Sequence, residues 1–210
     1  MRKSKETQEA QKGQSTRFQA PLVLFLFLLL VRPSFAQETP EWEFFGGYSI
    51  LRTNVREYYK STPIIYSIRY KFENLNGWDF AVTENINRWF GGTFDVSGHY
   101  KTPVFQGSPN QQQIHSFTYG PRFSLHMSLL TPFAHALFGA AHANVQVTPV
   151  GPHASDTSFA AAAGGGVDLN VKGFAIRLIQ AEYFHANALG NNQNNYRASA
   201  GIVFHAGKSK

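Results

Sequence analysis

Between residues 42 and 206 the chain alternates, residue by residue, between apolar or aromatic positions and small or polar ones. In Trp89 to Lys101, WFGGTFDVSGHYK, one parity holds Phe90, Gly92, Phe94, Val96, Gly98 and Tyr100. The other holds Gly91, Thr93, Asp95, Ser97, His99 and Lys101. Period two marks a β-strand whose two faces meet different surroundings. Such runs predict eight strands, near 42–53, 75–86, 89–101, 113–126, 131–146, 158–170, 173–186 and 196–206. Almost nothing after residue 37 carries a helical period.

The faces can be read directly. Trp42, Phe44, Gly46, Tyr48 and Ile50 share a side of the first run. In the fourth, Phe117, Tyr119, Pro121, Phe123 and Leu125 oppose Ser116, Thr118, Gly120, Arg122 and Ser124. The seventh breaks step: Arg177 lies on one parity, Gln180 and Glu182 on the other. One extra residue near Leu178–Ile179 restores the register, which predicts a β-bulge there. Glu84 is a second misfit, on the apolar parity of its strand, where only a place near a membrane interface is cheap.

The connections alternate too. The links at 54–74, 102–112, 147–157 and 187–195 are long, and those at Asn87-Arg88, 127–130 and 171–172 are short. Transmembrane barrels have long extracellular loops and short periplasmic turns. An even strand count also brings both ends of the barrel to the periplasmic side.

Which face is wet follows from the composition of the polar row. A soluble barrel would show water a row rich in Lys and Glu. Here that row is mostly Gly, Ala, Ser and Thr, which suits the cramped interior of an eight-stranded barrel. The apolar row, with aromatics toward the strand ends, suits a lipid-facing band with interfacial girdles. Trp42, Trp78, Trp89, Tyr100 and Phe204 are the expected interface aromatics. The fold class is therefore all-β: an eight-stranded antiparallel up-and-down transmembrane β-barrel, closed because hydrocarbon tolerates no unpaired edge. Asp79, Asp95, Asp168 and Glu182 then face Arg122, Arg177 and Arg197 across the lumen. Buried charges must be paired, so these residues predict an ion-pair network that plugs the tube; a gated ion path is the alternative.

Charge and composition locate the chain. Its formal charge is +6, but six of the 19 basic residues and two of the 13 acidic ones precede residue 37, so the excess belongs mainly to the leader. That segment runs from a basic start through LVLFLFLLLV at 22–31 to Ser34-Phe35-Ala36, the pattern of a secretory signal peptide. The ten apolar residues are about half the ~20 that a spanning helix needs. The reading is thus a signal peptide at 1–36 and one barrel domain at 37–210, exported to the bacterial outer membrane. No basic stripe remains, which argues against nucleic acid, and without cysteine there is no disulfide framework.

The stretches EFFGGYSILR at 43–52, NGWDFAVTENINRWFGGTFDVSGHY at 76–100, GPRFS at 120–124, TPFAHALFGAAHA at 131–143, and the closing IRLIQAEYF and NNYRASAGIVFHAG carry a resemblance. Over nearly all of 41–207 the chain resembles the OmpA-like outer-membrane β-barrel domain. The resemblance implies insertion by the barrel-assembly machinery, for which Phe204 looks like the terminal aromatic signal. It also implies contact with outer-membrane lipid and lipopolysaccharide, as a monomer.

Other chemistry is thinly supported. The eight histidines show no helical i, i+4 and no His-x-His spacing, so neither a metal nor a cofactor is expected. AEYFHANALGNN at 181–192 is similar to the His-x-Ser-Asn motif of the lipid A 3-O-deacylases, but Asn187 stands where the nucleophile would be, and an amide cannot attack an ester. His126-x-Ser128 has the spacing yet falls on a short turn. The expectation is no catalysis. Specific function belongs to the loops; 54–74 holds four tyrosines with Arg56, Lys60, Arg69 and Lys71, and Arg52 just before it.

Overall fold

Each run needs opposite solvation for its odd and even side chains, and only an extended backbone sorts them onto two faces. The structure, a computed structural model, describes residues 39–60, 66–102, 104–105, 108–147, 153–188 and 191–207. Side chains of 54–71, 103–110, 147–152 and 187–192 lie outside that description. All described residues belong to the unit Phe35–Lys210, none to Met1–Ser34, so the expected signal peptide at 1–36 lies outside them.

The barrel strands are β1 (Trp42–Lys60), β2 (Tyr66–Asn85), β3 (Phe90–Lys101), β4 (Ser108–Ser124), β5 (Leu130–Val147), β6 (His153–Val171), β7 (Phe174–Ala188) and β8 (Asn191–Ala206). Consecutive strands pair antiparallel, and β1 also pairs with β8, from Trp42↔Ala206 to Arg52↔Tyr196, which closes the ring. A two-residue strand, Val104–Phe105, pairs separately with Ser108–Pro109.

The register can be walked once around. From Trp42 it passes Glu84, Gly92 and Pro121, continues through Ala136, Ala163, Tyr183 and Tyr196, and returns to β1 at Arg52, ten residues beyond the start. That stagger over eight strands tilts them by about 40° from the barrel axis.

The turn-side strand ends fall within two residues of their predicted places. Lys172-Gly173 reverses the chain in two residues, with Gly173 at φ 88°, which costs a glycine little. The loop-side ends correct the expectation. Residues 54–60 and 66–74, read as loop, continue the ladder from Asn54↔Phe72 to Lys60↔Tyr66. β4, β6 and β8 likewise begin at Ser108, His153 and Asn191, several residues early. Pairing satisfies backbone N–H and C=O groups beyond the membrane as well as within it, and the Val, Ile and Tyr content of these segments favours extension.

The bulge expected at Leu178–Ile179 is present: the register with β8 shifts between Arg177 and Gln180. Both bulged residues are exposed on the outside, while Arg177, Gln180 and Glu182 are all returned to the interior. Glu84 is exposed at the turn-side end of β2, opposite Trp42.

The distribution of side chains is inverted relative to a soluble protein. Among the described residues, 24 buried side chains are polar or charged and 14 are apolar, so the interior is not an oily core. Neighbours on one strand make the point: Thr118 is 1% exposed and Tyr119 is 63% exposed. An outer surface of Phe, Tyr, Ile and Leu has no place in water on this scale, and a closed barrel with that exterior spans a membrane.

Deleting Leu178 removes the extra residue and leaves Arg177, Gln180 and Glu182 on one parity, so a regular strand can hold all three inward without the bulge. The expected outcome is a compact, heat-modifiable band on a denaturing gel, with a yield near wild type. Loss of that band would show that the bulge does more than restore parity.

Candidate functional site

The described interior is layered along the axis, and each layer follows from what the inward parity of the strands carries at that height. Nearest the turns, Glu43 of β1, Arg122 of β4, Asp168 of β6 and Arg177 of β7 form a balanced set of two carboxylates and two guanidiniums. Arg122 Nη2 lies 3.1 Å from Glu43 Oε2 and donates to Asp168 Oδ2 at 3.3 Å. Arg177 grips Asp168 with a two-pronged fork, Nε to Oδ1 at 2.8 Å and Nη2 to Oδ2 at 3.0 Å. Such bidentate pairs are the strong ones. The two guanidiniums do not meet bare: the Phe133 ring lies 4.0 Å from Arg122 and 4.4 Å from Arg177, and Phe45 lies 4.1 Å from Arg177. Ring faces carry negative potential, which favours cations there.

Glu43 also ties the turns to the barrel. Its Oε1 accepts from Asn85 Nδ2 at 2.8 Å and is 3.1 Å from His126 Nε2. His126 Nδ1 in turn sits 3.1 Å from the Arg88 carbonyl. Three chain segments distant in sequence thus share one carboxylate at the turn-side mouth.

At mid-height Arg197 of β8 gathers the other acids. It donates through Nε and Nη2 to Glu182 of β7 and through Nη1 to Asp95 Oδ1 at 2.9 Å and Ser97 Oγ at 2.9 Å. Glu182 Oε1 is also held by His135 Nε2 at 2.6 Å. Asp79 Oδ2 accepts from Ser199 Oγ at 2.7 Å, and Asp79 Oδ1 is 3.9 Å from Arg197 Nη1. Three carboxylates therefore face one guanidinium and one imidazole. Beside them, Ser49 receives Ser199 and meets His99 Nε2 at 2.9 Å. Many of these bonds, such as β3 to β8 and β1 to β4, join strands that are not neighbours in the ring, so they cross the lumen.

Toward the loops the interior turns apolar. Leu51, Leu75, Leu137 and Phe184 pack with Ala141, Ala160, Ala162 and Ala186. Beyond them, Lys101 Nζ reaches Glu73 Oε2 at 3.3 Å.

All seven charged residues picked from the alternation are buried, and their ion pairs fall into two groups bridged by Gln180, which accepts from Arg177 Nη1 at 2.6 Å and donates to Asp79 Oδ2 at 3.5 Å. Arg122, Asp168 and Arg177 belong to the turn-side set; Asp79, Asp95, Glu182 and Arg197 belong to the middle one. Glu43, His135 and Gln180 complete the groups. Their inward parity was there to be read, but Glu43 was passed over between two large aromatics. Trp89, Trp78, Tyr100 and Phe204 are exposed on the exterior and Trp42 is half-buried. Trp42, Trp89 and Phe204 lie at the turn end; Trp78, whose Nε1 donates to Tyr100 Oη at 3.4 Å, lies with Tyr100 toward the loops. His185 bonds Asn194 at 3.0 Å, and the Asn187 side chain lies outside the described residues.

Arg122→Ala leaves Glu43 and Asp168 without one of their cations. The expected loss is about 3–5 kcal/mol of stability, read as a lower unfolding midpoint in micelles. The lipid-facing Phe94→Leu should shift the midpoint little, and equal midpoints for Arg122→Ala and wild type would contradict the role given to this guanidinium.

No protein-family model and no curated protein matches the chain. Solved structures do. The chain is similar to Neisserial surface protein A, at 11% identity and a TM-score of 0.56, over 79% of this chain and 97% of that one. It is similar to the outer membrane protein OprG from Pseudomonas aeruginosa, at 10% identity and a TM-score of 0.52, over 81% and 98%. Ail, the attachment invasion locus protein of Yersinia pestis, matches in complex with the heparin analogue sucrose octasulfate, at 17% identity and a TM-score of 0.52, over 78% and 99%. With this topology and this exterior, the chain has the fold of the OmpA-like eight-stranded barrels and is built to lie as an integral protein in the bacterial outer membrane.

Proposed function

We propose that the protein is a non-catalytic outer-membrane barrel, closed to solutes, whose working part is its loop-side end, where it meets outer-leaflet lipopolysaccharide or another surface partner. The observation that carries this reading is the bonding across the lumen: Arg122 and Arg197 are each fastened to acids on strands that are not their ring neighbours. Opening a path would separate buried charges, at several kcal/mol each. The Leu51, Leu75, Leu137 and Phe184 layer adds an apolar barrier above them.

A surface-binding role is supported by fold-level precedent, since Ail was solved in complex with the heparin analogue sucrose octasulfate. The non-catalytic reading is supported by Asn187, in place of a serine, two residues after His185, and by the place of His126 at a short turn, bonded to Glu43. The protein is read as a monomer delivered by the assembly machinery. A narrow cation path is the second reading, favoured by the excess of carboxylates around Arg197.

Planar-bilayer recording separates the two. The closed reading expects a nearly silent membrane after insertion is verified by protease protection. Steady cation-selective steps that Asp95→Asn abolishes would favour the path instead.

A further inference from the structure

Among the described residues, a trough on the exterior ends in a mouth whose chemistry differs from that of its walls. Ala198 of β8 is flanked by Ile50 of β1 and Ala181 of β7, so the floor is low. One step toward the loops, Tyr196 is flanked by Arg52 and Tyr183, and the two tyrosine rings meet edge to face at 5.9 Å. Together they enclose a groove of about 490 Å³ running up to the Arg52 guanidinium. Arg52 is exposed, lies 4.9 Å from the Phe72 ring, and makes no ion pair with a carboxylate among the described residues. Its depth is set by the loop-side girdle. Tyr48 donates to Asn76 and Trp78 to Tyr100 around the same height, and amphipathic aromatics settle at headgroup level. Arg52 is one step beyond Ile50, where the apolar wall ends.

We infer that this groove holds one molecule of the lipid A part of lipopolysaccharide, an acyl chain lying over Ala198 and Ala181 and a sugar phosphate on Arg52. Hydrocarbon must fill an apolar trough in a bilayer. A guanidinium at its headgroup end selects an anionic head, because its planar fork matches phosphate oxygens. The sugar is matched by the polar rim around the mouth, Asn74 beside Arg52 and the His185–Asn194 pair beside Tyr183 and Tyr196. The inference rests on the reading that the loop end faces the outer leaflet, and it names the site on that end.

The test uses protein extracted from outer membranes, stripped of lipid in mild detergent and titrated with purified lipid A or with phosphatidylglycerol under native mass spectrometry. Wild type should keep one lipid A per barrel and release phosphatidylglycerol. Arg52→Ala should weaken retention by about fivefold, the effect of one interfacial cation. Ala198→Phe, which fills the floor and keeps the charge, should weaken it as well, with folding checked by heat-modified mobility. Arg88→Ala, at the turn end, should change nothing. Retention by wild type that survives both groove variants would overturn the groove while leaving the loop-end reading intact. Failure of wild type to retain either lipid would also overturn the groove, and equal retention of the two would overturn the sugar phosphate in favour of any anionic headgroup.

Discussion

A charge inside a tube one side chain wide must find its partner there, and this requirement orders the rest of the molecule. An unpaired buried ion costs several kcal/mol, a large share of the ~5–15 kcal/mol that holds a whole domain folded. Arg122, Arg177 and Arg197 are nearly sealed from solvent, and each meets a carboxylate. Their pairing fixes the register as firmly as the backbone ladder does. A slip of one residue would turn every inward charge toward lipid. The bulge at Leu178–Ile179 is the clearest result of this constraint: β7 carries Arg177 and Glu182 on opposite parities, and the strand kinks outward by one residue so that both stay inside.

The same constraint divides the barrel into ends with different tasks. At the turn end the charges balance, and Glu43 draws Asn85 and His126 into one knot that holds two turns against β1. At mid-height the acids outnumber the cations, and hydroxyls supply further donors, Ser199 to Asp79 and Thr118 to Asp95. Near the loops, where wide polar ribbons leave the membrane, apolar side chains take over the interior. The ion pairs are thus concentrated toward the turns and the middle, and the packed apolar layer lies toward the loops.

Alternation made the two faces legible because side-chain direction in a strand depends on nothing but parity. Strand number, closure and the bulge followed from it. Strand length did not: residues 54–60 keep no alternation, and 66–73 keep it, Tyr66, Ile68, Tyr70 and Phe72 against Ser67, Arg69, Lys71 and Glu73, but with charges where the barrel interior has small residues, yet both backbones pair. The partition of the charges into two groups was equally hidden: Arg197 reaches Asp95 across 102 residues of chain, a distance that only the stagger of the closed barrel bridges. Leu51 and Leu137 were overlooked for the opposite reason. They are apolar on the inward parity, and a reading that equates inward with polar has no place for them.

The central claim is that the aromatic row meets hydrocarbon and the small and charged row lines a crowded interior. The chain has no native cysteine, so single cysteines at Ser116, Phe117, Thr118 and Tyr119 can each carry a nitroxide in lipid vesicles. Oxygen, which concentrates in hydrocarbon, should broaden the signals at Phe117 and Tyr119 strongly and those at Ser116 and Thr118 hardly at all. The opposite phase, or collisions with a water-soluble nickel chelate at Phe117 and Tyr119, would contradict the inverted barrel.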